Sequence, residues 1–117
     1  MTTFHSDPDI RKAETLPAEF YTRDDVFAAS KDLVFSKSWQ WVGHAPTQLP
    51  QNGSVAPITL LCGMIDEPLL LSRQPDGEVR CLSNVCTHRG NLLVAEPGKA
   101  RQLVCGYHGR RFDLDGT

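Results

Sequence analysis

The chain lacks the features that mark membrane and nucleic-acid proteins. It has no block of basic residues, and its formal net charge is close to zero at −2, so nothing in the charge pattern points to nucleic acid. It has no long hydrophobic run. The longest apolar stretches, Ile58 to Ile65 and Pro68 to Leu71, fall far short of the roughly 20 residues that cross a bilayer. The first residues, MTTFHSDPDIRK, lack the basic-then-apolar order of a secretory signal. These absences lead to the expectation of a cytoplasmic protein with neither membrane nor nucleic acid as a partner. Length sets a further bound: 117 residues allow about one domain with one modest core. Histidine and cysteine are scarce, with four of each, so their placement carries information.

Two of each fall in one stretch. Cys86-Thr87-His88 is followed by Arg89-Gly90, and Cys105-Gly106-Tyr107-His108 is followed by Gly109. Each half offers one thiolate and one imidazole, a set that suits zinc or an iron–sulfur centre. Common structural zinc sites pair Cys with Cys and His with His. Here each pair is mixed, which suits a 2Fe–2S cluster with two Cys on one iron and two His on the other. Gly90, Gly106 and Gly109 fit a backbone that must pass close to a bulky cofactor. Zinc stays open as a second reading. Cys62 and Cys81 lie outside the motifs and are expected to be small buried residues, not a disulfide.

The run Asn84-Val85-Cys86-Thr87-His88-Arg89-Gly90, with Cys105 to Gly109 after it, resembles the Rieske 2Fe–2S domain. More narrowly, it resembles the N-terminal domain of Rieske non-haem iron oxygenase α subunits, the aromatic-ring-hydroxylating dioxygenases and related monooxygenases. The resemblance implies a mainly β fold, an antiparallel sandwich with an N-terminal helix, its cluster held by two loops at one tip. It implies Cys86 and Cys105 on the inner iron and His88 and His108 on the outer iron. It also implies reduction by a reductase or ferredoxin, followed by transfer to a mononuclear non-haem Fe(II), in the family carried by a C-terminal catalytic domain that also sets the substrate. That iron belongs to the same or a neighbouring subunit, in α subunits that assemble as trimers. His5 and His44 lack suitable partners for such an iron, so the chain alone is not expected to oxygenate a substrate. The alternatives are a stand-alone Rieske ferredoxin and a zinc-stapled interaction module. The arm from Leu16-Pro17 to Tyr21 occurs in relatives acting on small quaternary amines as well as on aromatics.

High-potential Rieske proteins carry an extra Cys in each loop and hydroxyls near the cluster. Asn91 and Tyr107 stand where those Cys would fall, and Arg110 and Phe112 stand where the hydroxyls would fall. The low-potential type is therefore expected. Arg110 also replaces the family's usual Trp and is read as half of a solvated charge pair with Arg111. Arg89 is expected to hold the first loop.

The remaining stretches set the expected architecture. Residues 1–21 read as an arm whose Leu16 to Tyr21 segment docks on the domain, and residues 22–117 as the Rieske domain. A helix is expected from about Arg23 to Ser36, packed on the core. Thr22 would be its N-cap, Asp25 its N3 residue, and Tyr21 and Val26 a hydrophobic staple. Trp39 to His44 alternates like a strand, with both Trp in the core and His44 at the surface. Pro46 to Asn52 reads as a loop. Strands are expected at Ser54 to Leu61, Leu69 to Ser72, Glu78 to Val85, Arg101 to Val104 and from Phe112. Gln74-Pro75-Asp76-Gly77 is a turn signal, and Glu96 to Lys99 a plain turn. Asp115-Gly116 reads as a hairpin turn whose second strand lies beyond Thr117, so a longer parent chain is expected.

Overall fold

The structure is a computed structural model that describes residues 3–117. It divides into two compact units, Met1–Gln40 and Trp41–Thr117. The boundary expected after residue 21 falls inside the first unit.

In the first unit, α1 spans Ala18–Thr22 and α2 spans Asp24–Leu33, followed by a 3₁₀ turn at Phe35–Lys37. Phe4 meets Phe20 edge-on at 5.2 Å, and Phe20 meets Tyr21 at 5.2 Å. The expected capping box does not form. Thr22 closes α1, and its hydroxyl donates to the Ala18 carbonyl (3.1 Å). Arg23 takes the N-cap position instead, and its guanidinium binds Asp25 at 2.8 and 2.6 Å. Asp24 and Asp25 in the first turn and Lys31 in the last still suit the helix dipole. The core role expected for this helix is also corrected. α2 buries none of its residues, and Phe27 and Leu33 are exposed. A ten-residue helix flanked by single turns has too little apolar surface around it to bury a face.

Trp39 and Trp41 are 102% and 86% exposed, and Trp39 to His44 forms no strand. Alternation makes a strand only where a partner supplies the hydrogen bonds, and this stretch pairs with no strand among the described residues. The expected loop after it begins as a short helix, α3, Ala45–Gln48, with Pro46 in its first turn, where a missing N–H costs nothing. His44 is its exposed N-cap residue, as expected for a surface histidine.

The second unit is built on a four-stranded antiparallel sheet. β1 is Ser54–Leu60, β2 Glu67–Arg73, β3 Val79–Ser83 and β4 Gly98–Lys99, in the order β3-β2-β1-β4. β4 forms where a plain turn was expected, pairing with Ser54 and Val55. Pro68 does not interrupt β2. It pairs opposite Thr59, and its carbonyl accepts the Asn84 N–H (2.9 Å). A second sheet pairs β5, Leu103–Val104, with β6, Arg111–Phe112.

Both Asp-Gly pairs close turns of one kind. Gly77 N–H donates to Gln74, and Gln74 N–H to Glu78; Gly116 N–H donates to Asp113, and Asp113 N–H to Thr117. Gly77 and Gly116 have φ of 93° and 94°, the three-residue loop with glycine in its last position. The C-terminal turn is thus one residue longer than the expected Asp115-Gly116 pair.

Alternation along β1 and β2 separates two clusters. Val55 and Leu70 face a core shared with Leu103, Phe112 and Leu114, while Ala56 and Leu71 pack with Leu49 on the other side. Complete burial of Leu70 contributes about 2 kcal/mol. Cys86 and Cys105 belong to the first core. Cys62 and Cys81 are exposed, contrary to the expected burial. Cys81 lies on a sheet-edge strand, and Cys62 in the turn between β1 and β2, where little packs over either. Among the described residues no helix is long and apolar enough to cross a membrane.

Candidate metal centre

Two loops of one backbone design carry the four expected ligands. In the first, the Cys86 carbonyl accepts the Gly90 N–H (2.9 Å), and the Cys86 N–H donates to the Asn91 carbonyl (2.8 Å). In the second, the Cys105 carbonyl accepts the Gly109 N–H (2.9 Å), and the Cys105 N–H donates to the Arg110 carbonyl (2.8 Å). Each loop is a five-residue return closed by a glycine with positive φ, 69° at Gly90 and 73° at Gly109. A Cβ at Gly90 would meet nothing nearer than Val85 at 4.0 Å, and at Gly109 nothing within that range. These two glycines therefore serve backbone direction, not protein clearance.

Neighbouring strands hold the loop ends. β3 runs to Ser83, and Val85 bridges Leu92 across the base of the first loop. Beneath it, Asn84 is 1% exposed, and its side-chain amide donates to the Val94 carbonyl (2.7 Å) while its oxygen accepts the Val94 N–H (2.9 Å). This one side chain replaces a rung of sheet. The second loop joins β5 to β6 directly.

The donors segregate by depth. Cys86 and Cys105 are buried, whereas His88 and His108 are exposed. The imidazole rings lie 4.9 Å apart at 62°. Tyr107 stacks on His108 at 3.9 Å and 32°. The N–H of Tyr107 holds the Cys105 thiol below its ordinary range, with help from the His108 N–H, the Cys86 thiol and the Asn91 amide, against the opposing effect of burial. Donors aimed at sulfur favour the thiolate, the form that binds metal. Among the described residues, no three His, Cys, Asp or Glu side chains converge on a point fit for one metal ion. Two buried thiols and two exposed imidazoles make a donor set that fits a 2Fe–2S centre with thiolates on one iron and imidazoles on the other.

Several neighbours were not foreseen. Asn84 was visible only as part of a motif, and Asn91 only as a missing Cys. The Asn91 amide lies 3.7 Å from the Cys105 sulfur in the opposite loop. Arg89 is exposed and makes no hydrogen bond or ion pair with any described residue, so the expected loop-holding role is not seen. Arg110 lies over the Phe112 ring at 5.3 Å.

The chain belongs to the Rieske 2Fe-2S domain family, whose model matches residues 38–117. Its cofactor is accordingly the 2Fe–2S cluster, and the zinc reading falls away. It is similar to the carnitine monooxygenase oxygenase subunit of Acinetobacter baumannii, 36% identical over 97% of this chain and 29% of that protein. It is also similar to the biphenyl 2,3-dioxygenase α subunit of Rhodococcus jostii, 33% identical over 87% of this chain and 21% of that subunit. A quaternary ammonium Rieske monooxygenase, solved in work on carnitine oxidation and inter-subunit electron transfer, superposes with a TM-score of 0.73. It is 36% identical over 88% of this chain and 27% of its own. The chain thus spans less than a third of the length of these relatives.

Proposed function

We propose that the chain is the electron-accepting domain of a Rieske non-haem iron oxygenase. Cys86 and Cys105 would hold one iron as thiolates, and His88 and His108 the other as imidazoles. The observation that carries the assignment is the pair of equivalent loops, which bury both thiols side by side and leave both imidazoles adjacent at the surface. When bound, the cluster supplies a centre that accepts and releases one electron.

The chain's own residues divide the work. The buried thiols exclude water from the inner side. The exposed imidazoles give electrons a short path to and from partners, and Tyr107 fixes the plane of one of them. A reductase or ferredoxin is the donor, and a mononuclear iron of the same or a neighbouring subunit is the acceptor. Inter-subunit transfer in the carnitine-oxidising relative supports that route. The oxygenase reading is favoured over a free ferredoxin because likeness to an oxygenase subunit covers 97% of the chain, including the helical first unit. Asn91 and Tyr107 supply no loop-bridging disulfide, and Arg110 and Phe112 no hydroxyl, which supports the low-potential type.

The test is iron, sulfide and zinc analysis of the anaerobically purified chain, with visible spectra and a redox titration. Two irons and two sulfides per chain are expected. The midpoint should lie toward the lower end of the range of about −150 to +300 mV seen for Rieske centres. One zinc without sulfide would overturn the reading, and a midpoint well above zero would overturn the low-potential assignment.

A further inference from the structure

Asn91 touches both cysteines. Its backbone carbonyl accepts the Cys86 N–H (2.8 Å), and its side-chain Nδ2 lies 3.7 Å from the Cys105 sulfur. The same Nδ2 donates to the Leu92 carbonyl (2.8 Å). A carbonyl there demands a donor, which fixes the amide with its N–H groups, not its oxygen, toward the sulfur. The amide is half-buried, so water competes weakly for it. Beyond Cys86 itself, no other side chain among the described residues hydrogen-bonds to either sulfur. The matching position of the second loop is Arg110, which lies over Phe112 instead. The two loops are therefore alike in backbone and unlike in this one contact.

We propose that Asn91 is a positioning residue that sets the reduction potential of the centre by donating a hydrogen bond across the loops to Cys105 Sγ. The proposal rests on the ligation argued above. Reduction adds negative charge that spreads onto the ligand sulfurs. A neutral N–H donor stabilises that charge more in the reduced state than in the oxidised state, so it raises the potential. Asn91 also links the two loops, from the Cys86 N–H to the Cys105 sulfur. It ties the loops together without a covalent bond, and the tie is reversible.

The test compares the loaded wild-type chain with Asn91→Leu, which keeps the side chain's bulk and removes the donor. Iron and sulfide should stay at two each, and the reduced EPR signal should keep its mixed Cys/His character. The one-electron reduction equilibrium should shift about tenfold toward the oxidised form, a fall of about 59 mV. Asn91→Ser, which restores a shorter donor, should recover part of the shift. An unchanged midpoint in a fully loaded Asn91→Leu chain would overturn the proposal and leave the ligand assignment intact. If Asn91→Leu fails to load, Asn91→Asp takes its place in the titration. Failure of both to load beside a loaded wild type would also overturn it, because Asn91 would then hold the fold and not tune the potential. A wild-type chain with zinc and no sulfide would instead refute the ligation on which the proposal rests.

Discussion

Asn84 and Val94 are joined by two hydrogen bonds, 2.7 and 2.9 Å, that pass through a side chain where a sheet would use backbone. The contact closes the base of the first ligand loop, and Asn84 lies just two residues before Cys86. Asn84→Ala would leave both polar groups of Val94 without a partner. Each such group costs about 1–3 kcal/mol when buried. Urea unfolding should show a loss of about 2 kcal/mol or more, with Asn84→Asp falling between, since a carboxylate still accepts the Val94 N–H. A loss below about half a kcal/mol would show that the loop closes without this contact.

Gly109 and Gly90 should tolerate alanine poorly, although neither is crowded. Their φ values of 73° and 69° cost an L-residue about 1–2 kcal/mol. Gly98→Ala is the control, since its φ is not positive and its added Cβ would meet nothing within 4 Å. Thermal melts should fall by several degrees for the two loop variants and stay near wild type for the control. Equal effects at all three positions would contradict the backbone argument.

The Cys105 thiol carries a pH prediction for the cluster-free chain. Its folded pKa is held below the ordinary thiol range, chiefly by the Tyr107 N–H. A lowered acid pKa means the folded state binds its proton less readily than the unfolded state. The stabilisation is present above the unfolded thiol's pKa and is lost as pH falls through the folded value. Thiolate absorbance should therefore appear below the ordinary range in the wild type and lose that early part in Cys105→Ser. A Cys105→Ser titration that overlays wild type would refute it.

Tyr107 stacks on His108 at 3.9 Å, a contact worth about 0.5–1.5 kcal/mol. Tyr107→Ala should release the ring, broaden the reduced EPR signal and speed cluster loss under chelator challenge. Tyr107→Phe keeps the ring and should match wild type. If Tyr107→Ala loses the cluster no faster than wild type, the stacking does not hold His108.

The two loops that carry the candidate ligands were legible in the sequence because metal chemistry depends on residue type and short spacing. Cys86, His88, Cys105 and His108 could be chosen without knowing what packs around them, whereas Gly90 and Gly109 were read for cofactor clearance and show positive φ instead. The turn at Gln74 to Gly77 was legible for the same local reason, being set by Pro75 and a glycine with positive φ. What failed to show depends on partners distant in sequence. Trp39 and Trp41 alternate as a strand would, yet among the described residues no strand pairs with them. Thr22 fits an N-cap, but α1 takes it first. β4 forms because Ser54 and Val55 offer an open edge, which Glu96 to Lys99 do not reveal. The Asn84–Val94 and Asn91–Cys105 contacts span 10 and 14 positions, and asparagine alone does not announce either.

In the proposed centre, His88 and His108, together with Cys86 and Cys105, hold the cluster. Pulsed EPR of the reduced chain, grown with ¹⁵N-histidine, tests it most directly. Two strongly coupled histidine nitrogens are expected, and they should persist unchanged in His44→Ala and His5→Ala. A reduced iron–sulfur signal with one histidine coupling, or with none, would contradict the account.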